Sequence, residues 1–196
     1  METTTPPAYP INLEIDYPDR DLDRVSSAFR VIWVIPVAIV LQLVVGYTGA
    51  LLFAPIVLML LFRRKYPRWW FDFNRELAGF SMRVTGYALL LGDEYPSTDQ
   101  TQAVHLTLPE PDGAQLNRGL PLVKWFLAIP HYLVLLFLFI GVIVVTIIAW
   151  FVILFTGRYP REMHDYVVGV LRWGLRVEGY AFLLITDRYP PFRLNP

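Results

Sequence analysis

Residues 31–62 read VIWVIPVAIVLQLVVGYTGALLFAPIVLMLLF, thirty-two consecutive positions without a charged side chain. A second run, Trp125 to Gly157, holds 33 residues without Asp, Glu, Lys or Arg, and His131 is its one ionisable group. Uncharged apolar runs of this length are membrane material rather than core helices. They account for the composition of the 196-residue chain, which is 55% hydrophobic and only 17% charged; soluble domains carry about 25% charged residues. A wholly soluble protein, a disordered chain and a disulfide-stapled domain are excluded, the last by the absence of cysteine. The formal net charge is zero, no basic stripe appears, and no nucleic-acid partner is expected. The first thirty residues mix Glu2, Glu14, Asp16, Asp19, Arg20, Asp21, Asp23 and Arg24 with four prolines, unlike a secretory signal.

The two runs belong to an internal duplication. At an offset of 93, Tyr66-Pro67-Arg68 recurs as Tyr159-Pro160-Arg161, Asp72 as Asp165, Arg83-Val84 as Arg176-Val177, and Gly86-Tyr87-Ala88 as Gly179-Tyr180-Ala181. After a one-residue gap, Asp93-x-Tyr95-Pro96 recurs as Asp187-x-Tyr189-Pro190. Upstream, Arg30 matches Lys124, Ile35-Pro36 matches Ile129-Pro130, and Leu13-x-Ile15 matches Leu106-x-Leu108. Residues 1–98 form the first repeat and 99–196 the second, joined by the polar stretch Ser97 to Ala103.

A single 32-residue helix would be about 48 Å long, against a hydrocarbon core of about 30 Å. Gly46-Tyr47-Thr48-Gly49 offers a turn at the centre of the first run. The expectation is therefore a transmembrane helical hairpin per repeat, over about 31–62 and 120–156, four transmembrane helices in all. Their legs are short, so insertion into one leaflet is the alternative. Arg20, Arg24 and Arg30 precede the first run, and Arg63, Arg64 and Lys65 follow it. Arg118 and Lys124 precede the second, and Arg158 and Arg161 follow it. The positive-inside rule then puts both termini in the cytoplasm of a multi-pass protein. Pro36 and Pro130, at matched places, are expected to kink their helices.

After each run comes an amphipathic helix, about 68–85 and 161–178, with Trp69, Trp70, Phe73, Leu77 and Phe80 opposite Asp72, Arg75, Glu76 and Arg83 in the first copy. Their aromatic content suits the headgroup plane, and packing on the protein's own cytoplasmic layer is compatible with it. Gly86 and Gly179 are expected to end them, leading into a terminal strand or a helix end. Asn12–Asp16 and His105–Leu108 alternate like edge strands. The fold class expected is a mainly α membrane protein with a small cytoplasmic α+β layer, whose sheet pairs each unit's first and last strands.

No metal-ligand spacing, phosphate loop, nucleophile elbow or HExxH is present. Catalytic, cofactor and metal residues are all expected to be absent. His131 is an intramembrane ionisable residue, and so a functional candidate. Its counterpart is Val37, which favours a hydrogen-bonded structural role. Asp72, Asp165, Tyr87 and Tyr180 are repeat-matched and read as structural polar groups. Arg63, Arg64, Lys65, Arg68, Arg83, Arg158, Arg161 and Arg176 are candidates for lipid-headgroup phosphates, which guanidinium groups suit.

The motifs Arg158-Tyr159-Pro160, Leu171-Arg172-Trp173, Arg176-Val177, Tyr180 and Leu183-Leu-Ile-Thr-Asp-Arg-Tyr-Pro-Pro-Phe192 resemble a bacterial integral-membrane family catalogued as domain of unknown function 4389. Tyr66-Pro67, Phe73-Asn74-Arg75 and Arg83-Val84 resemble it in the first copy. The resemblance implies two tandem copies in a cytoplasmic membrane, and carries no activity or catalytic residues. The expected function is a non-enzymatic scaffold or accessory subunit of a larger membrane assembly. Membrane lipids, anionic ones among them, and other membrane subunits or a homo-oligomer are its expected partners. The alternatives are a small lipid- or solute-binding or transport protein with a site between the repeats, lined by His131 and the paired arginines, and a membrane-shaping hairpin protein.

Overall fold

The computed structural model describes residues 9–98, 100 and 102–196. The chain runs β1 (Asn12–Ile15), α1 (Arg24–Ala28), α2 (Arg30–Arg63), α3 (Arg68–Ala88), β2 (Val104–Thr107), α4 (Lys124–Leu127), α5 (Ile129–Thr156) and α6 (Arg161–Ala181). A 3-10 turn, Leu120–Leu122, leads into α4.

The transmembrane hairpins expected over 31–62 and 120–156 are not formed. Each apolar run is one helix, of 34 residues in α2 and 28 in α5. Helix continues through Gly46-Tyr47-Thr48-Gly49, where a turn was expected. Magnitudes explain this. Two glycines inside a helix cost about 1 kcal/mol each. A reversal in apolar surroundings strands the N–H and C=O groups of two helix ends, at several kcal/mol apiece. Four transmembrane helices therefore give way to two long ones. Among the described residues one helix, α5, is long and apolar enough to cross a membrane. Pro130 opens α5 in its first turn, where a missing N–H costs nothing, rather than kinking it; Pro36 lies inside α2.

Each long helix is followed by a sharp reversal and an amphipathic helix that packs back along it, α3 on α2 and α6 on α5. The reversals match between copies: Arg64 and Gly157, 93 apart, both cap their helices in the left-handed region, at φ 50° and 78°. So do the turns that end α3 and α6. These helices run two residues beyond Gly86 and Gly179, and the left-handed positions belong to the buried Leu90 and Leu184. The glycine carbonyls accept the N–H groups of Leu91 and Ile185, closing each end as a Schellman turn does. Irregular chain follows, so the terminal strands are absent.

The sheet consequently pairs the two first strands with each other. β1 and β2 are antiparallel, with Leu13 opposite Leu106 and Glu14 opposite His105. Leu13 and Leu106 are equivalent positions of the two repeats, so the pseudo-two-fold axis passes through this pair. The strands are also exchanged. β1, from the first repeat, packs on α6 of the second, and β2 packs on α3 of the first. The main core forms where β1, α5 and α6 meet, around Ile11, Leu13, Ala149, Ile153, Val167, Val170 and Leu175. Smaller clusters join α2 to α3 through Val37, Phe80 and Val84, and through Ile56, Leu60 and Trp70 with Leu184 of the second repeat.

Candidate functional site

The structure gathers the repeated residues into two copies of one polar clamp. In the second copy, Lys124 at the head of α4 is 1% exposed, and its Nζ lies 2.6 Å from Asp187 Oδ1. Nζ also donates to Thr186 O at 2.7 Å and sits 5.1 Å from the Tyr180 ring centre. The other oxygen of Asp187 accepts the N–H of Asn117 at 2.6 Å. In the first copy, Arg30 pairs with Asp93, donates to Gly92 O at 3.1 Å, and lies 4.0 Å from the Tyr87 ring centre. Asp93 Oδ2 accepts the N–H of Asp23 at 2.7 Å. Tyr87 meets Tyr95 edge to face at 5.6 Å, as Tyr180 meets Tyr189. Each clamp thus fastens the start of an apolar run to the tail of its own repeat. Burial lowers the Lys124 pKa, and the hydrogen bond and charge of Asp187 oppose the shift.

Arg176 is 1% exposed and donates to the carbonyls of Ile11, Arg193 and Asn195. Its pKa is pushed down to about 10, by burial first and then by Arg172 and Arg193 nearby. Arg172, which sequence matching passed over because its counterpart is Gly79, donates to Leu13 O at 2.7 Å and Leu194 O at 2.9 Å. These two arginines therefore serve the backbone of β1 and the C-terminal tail, and Arg176 does not face a lipid phosphate. Arg83 is half-buried and donates to Ser97 O at 2.9 Å. Arg63, Arg64, Lys65, Arg68, Arg158 and Arg161 are exposed. Arg68 stands 3.9 Å from Asp72 and 3.8 Å from Glu110. Arg158 pairs with Asp21 at 2.8 Å, which raises its pKa. Arg158 and Arg161 share a pocket of about 270 Å3 with Arg20, Tyr17 and Tyr159. Asp165 is exposed beside His164, whereas Tyr87 and Tyr180 are buried in the clamps.

His131, at the head of α5, is fully buried, and its Nδ1 accepts the indole N–H of Trp173 at 3.0 Å. Phe192 stacks on the imidazole at 3.9 Å and Tyr189 tilts against it at 4.9 Å. The first repeat carries Val37 and Phe80 at the matching positions, packed together in the α2–α3 cluster. A polar pair and an apolar pair thus solve the same packing problem, which supports a structural histidine. His131 is enclosed by rings, and Arg176 by carbonyls. No group of three His, Asp or Glu among the described residues is placed to hold a metal ion.

The family model for domain of unknown function DUF4389 matches residues 24–98 and again 121–193. The chain belongs to the DUF4389 family. One matched segment falls in each repeat, and each DUF4389 unit contains one long helix and one amphipathic helix, with the ion pair of one clamp. Both strands, β1 and β2, lie outside the matched segments, so the sheet joins the DUF4389 units from outside. No curated protein and no solved structure matches the chain.

Proposed function

We propose that this protein is a non-enzymatic membrane platform, a scaffold or accessory subunit whose two long helices lie within one face of the cytoplasmic membrane. The observation that carries the reading is the surface of α5. Leu133, Leu136, Phe137, Ile140, Ile143, Val144, Ile147, Phe151 and Phe155 are all exposed, in one continuous stripe along the face opposite the buried Leu135, Val142, Ala149 and Ile153. An unbroken apolar surface of this extent marks a lipid contact.

The way the helix lies follows from its ends. Both α2 and α5 carry basic residues before and after them, and each is now a single helix. A helix crossing the bilayer would put Arg118 and Lys124 on one side and Arg158 and Arg161 on the other, against the positive-inside rule. It would also draw α6 into the hydrocarbon, together with the polar strand positions Glu14 and His105 beyond it. A helix sunk parallel to the surface leaves both basic ends at the headgroups, where each cation contributes about 1 kcal/mol of attraction to anionic lipid. Arg63, Arg64, Lys65, Arg68, Arg158 and Arg161 are the exposed groups for that contact. The sheet and the polar face of α3 then point into the cytoplasm, available to other subunits.

Single cysteines test the geometry, since the chain has none of its own. Arg118→Cys and Arg158→Cys flank α5, and in sealed inside-out vesicles both are expected to react with a membrane-impermeant maleimide. Reaction of only one would establish a crossing helix and sink the in-plane reading. For the scaffold role, purification in mild detergent is expected to recover the protein with a stoichiometric larger partner, and a lone species counts against it.

A further inference from the structure

A groove of about 520 Å3 runs between the two repeats, bounded by Met82 of α3, Tyr132 and Phe139 of α5, Gly174 and Glu178 of α6, and Phe182. Its volume is in the range of small-molecule sites. The wall is apolar except for two groups. The Tyr132 hydroxyl is buried without a hydrogen-bond partner among the described residues. Glu178 is half-buried; no described residue offers its carboxyl a hydrogen bond or a cation, and the apolar groups around it raise its pKa. An unpaired carboxyl in apolar surroundings is expensive. The first repeat avoids that cost: its matching residue is Thr85, whose hydroxyl donates to Ser81 O at 2.8 Å. The second repeat keeps an acid where its twin shows that a neutral, self-satisfied side chain serves the fold.

We propose that this groove binds an amphiphile with an ammonium head, the cation against Glu178 and the hydrocarbon along the apolar wall. The aromatic lining suits a cation as well as a tail. The Tyr132 and Phe182 rings stand 6.3 Å apart, and ring faces attract ammonium groups. An anionic amphiphile would meet like charge, and a neutral one would leave the carboxylate unpaired. The site goes beyond the platform reading and does not depend on how α5 lies in the bilayer.

The test uses the full chain purified in an uncharged maltoside detergent, with rhodamine 6G as the cationic probe followed by fluorescence anisotropy. Octylamine should displace the dye and octanol should not. Glu178→Gln should weaken dye binding at least tenfold, while Glu178→Asp retains part of it. Gly174→Leu, which fills the groove, should abolish binding with the circular-dichroism melt unchanged. Absence of dye binding to the wild type, equal displacement by octanol, or wild-type affinity in Glu178→Gln would each overturn the proposal. Should Glu178→Gln fail to fold, the amine-against-alcohol competition on the wild-type protein decides alone.

Discussion

Lys124 Nζ lies 2.6 Å from Asp187 Oδ1, 63 residues further along the chain, with the lysine 1% exposed and the aspartate 26%. A buried pair of this kind is costly to break from one side, because the remaining charge stays out of water. Asp187→Asn is expected to destabilise the fold by about 3 kcal/mol. The double replacement Lys124→Met with Asp187→Leu should recover much of the loss. Thermal unfolding of the three variants in detergent measures this, and a double variant no better than the single would rule out stranded charge as the cause.

The His131–Trp173 pair is open to a swap that the chain itself supplies. His131→Val leaves the indole N–H buried without an acceptor, a loss of about 1–3 kcal/mol. Adding Trp173→Phe copies the Val37–Phe80 arrangement of the first repeat and should return part of it. A double-mutant cycle gives the coupling directly, and zero coupling would show that the hydrogen bond contributes nothing.

His164 has both ring nitrogens buried and unbonded. Burial holds its pKa below the usual 6.5, with Asp165 opposing the shift and Arg161 adding to it. The unfolded chain then binds this proton more readily than the folded one. The histidine's contribution is intact above about pH 6.5, and stability falls as the pH drops below that value toward the lowered folded pKa. The first repeat has the buried Phe71 at this position. His164→Phe should therefore flatten the acid limb of a stability–pH curve relative to wild type. Parallel curves for the two proteins would refute the assignment.

Gly113 lies in the loop between β2 and the 3-10 turn, pressed against the reversal that follows α2. A Cβ there would meet Tyr66 N at 2.8 Å and Arg64 O at 2.9 Å, both backbone atoms. Gly113→Ala is expected to cost about 1–3 kcal/mol. At Gly119 the nearest atom, Asn117 Oδ1, is 3.7 Å away, and alanine there should change the melting temperature little.

The duplication, the amphipathic helices and the two short strands were legible because they are local. Period 3.6, alternation and a fixed offset can all be counted along a chain. The helices end three residues beyond the expected limits, at Ala88 and Ala181, and β2 starts one residue early, at Val104. The hairpins were misread because hydrophobicity is silent on whether an apolar run bends. Gly46 and Gly49 permit a turn, but the backbone groups it would strand outweigh them. The clamps were half-visible: Arg30 matched Lys124 and Asp93 matched Asp187, but nothing local joins residues 63 apart. Arg172 and Glu178 escape the comparison of repeats for the opposite reason: their counterparts are Gly79 and Thr85. A search for what the copies share discards what only one of them has.

The exchange of strands between repeats has a consequence for biosynthesis. β1 is made early, but the helix that covers it, α6, ends at Ala181. Until then the growing chain holds Leu13 and Ile15 without their seat, and the apolar length of α2 with little but α3, α1 and the 3-10 turn beside it. Uptake of α2 by the bilayer during translation would shelter the chain through that interval, whereas release into water would expose it to aggregation. Separating the DUF4389 units at residue 98 would leave each half with an orphan strand. Two such halves, expressed together, are expected to find each other, and either one alone is expected to pair with a second copy of itself.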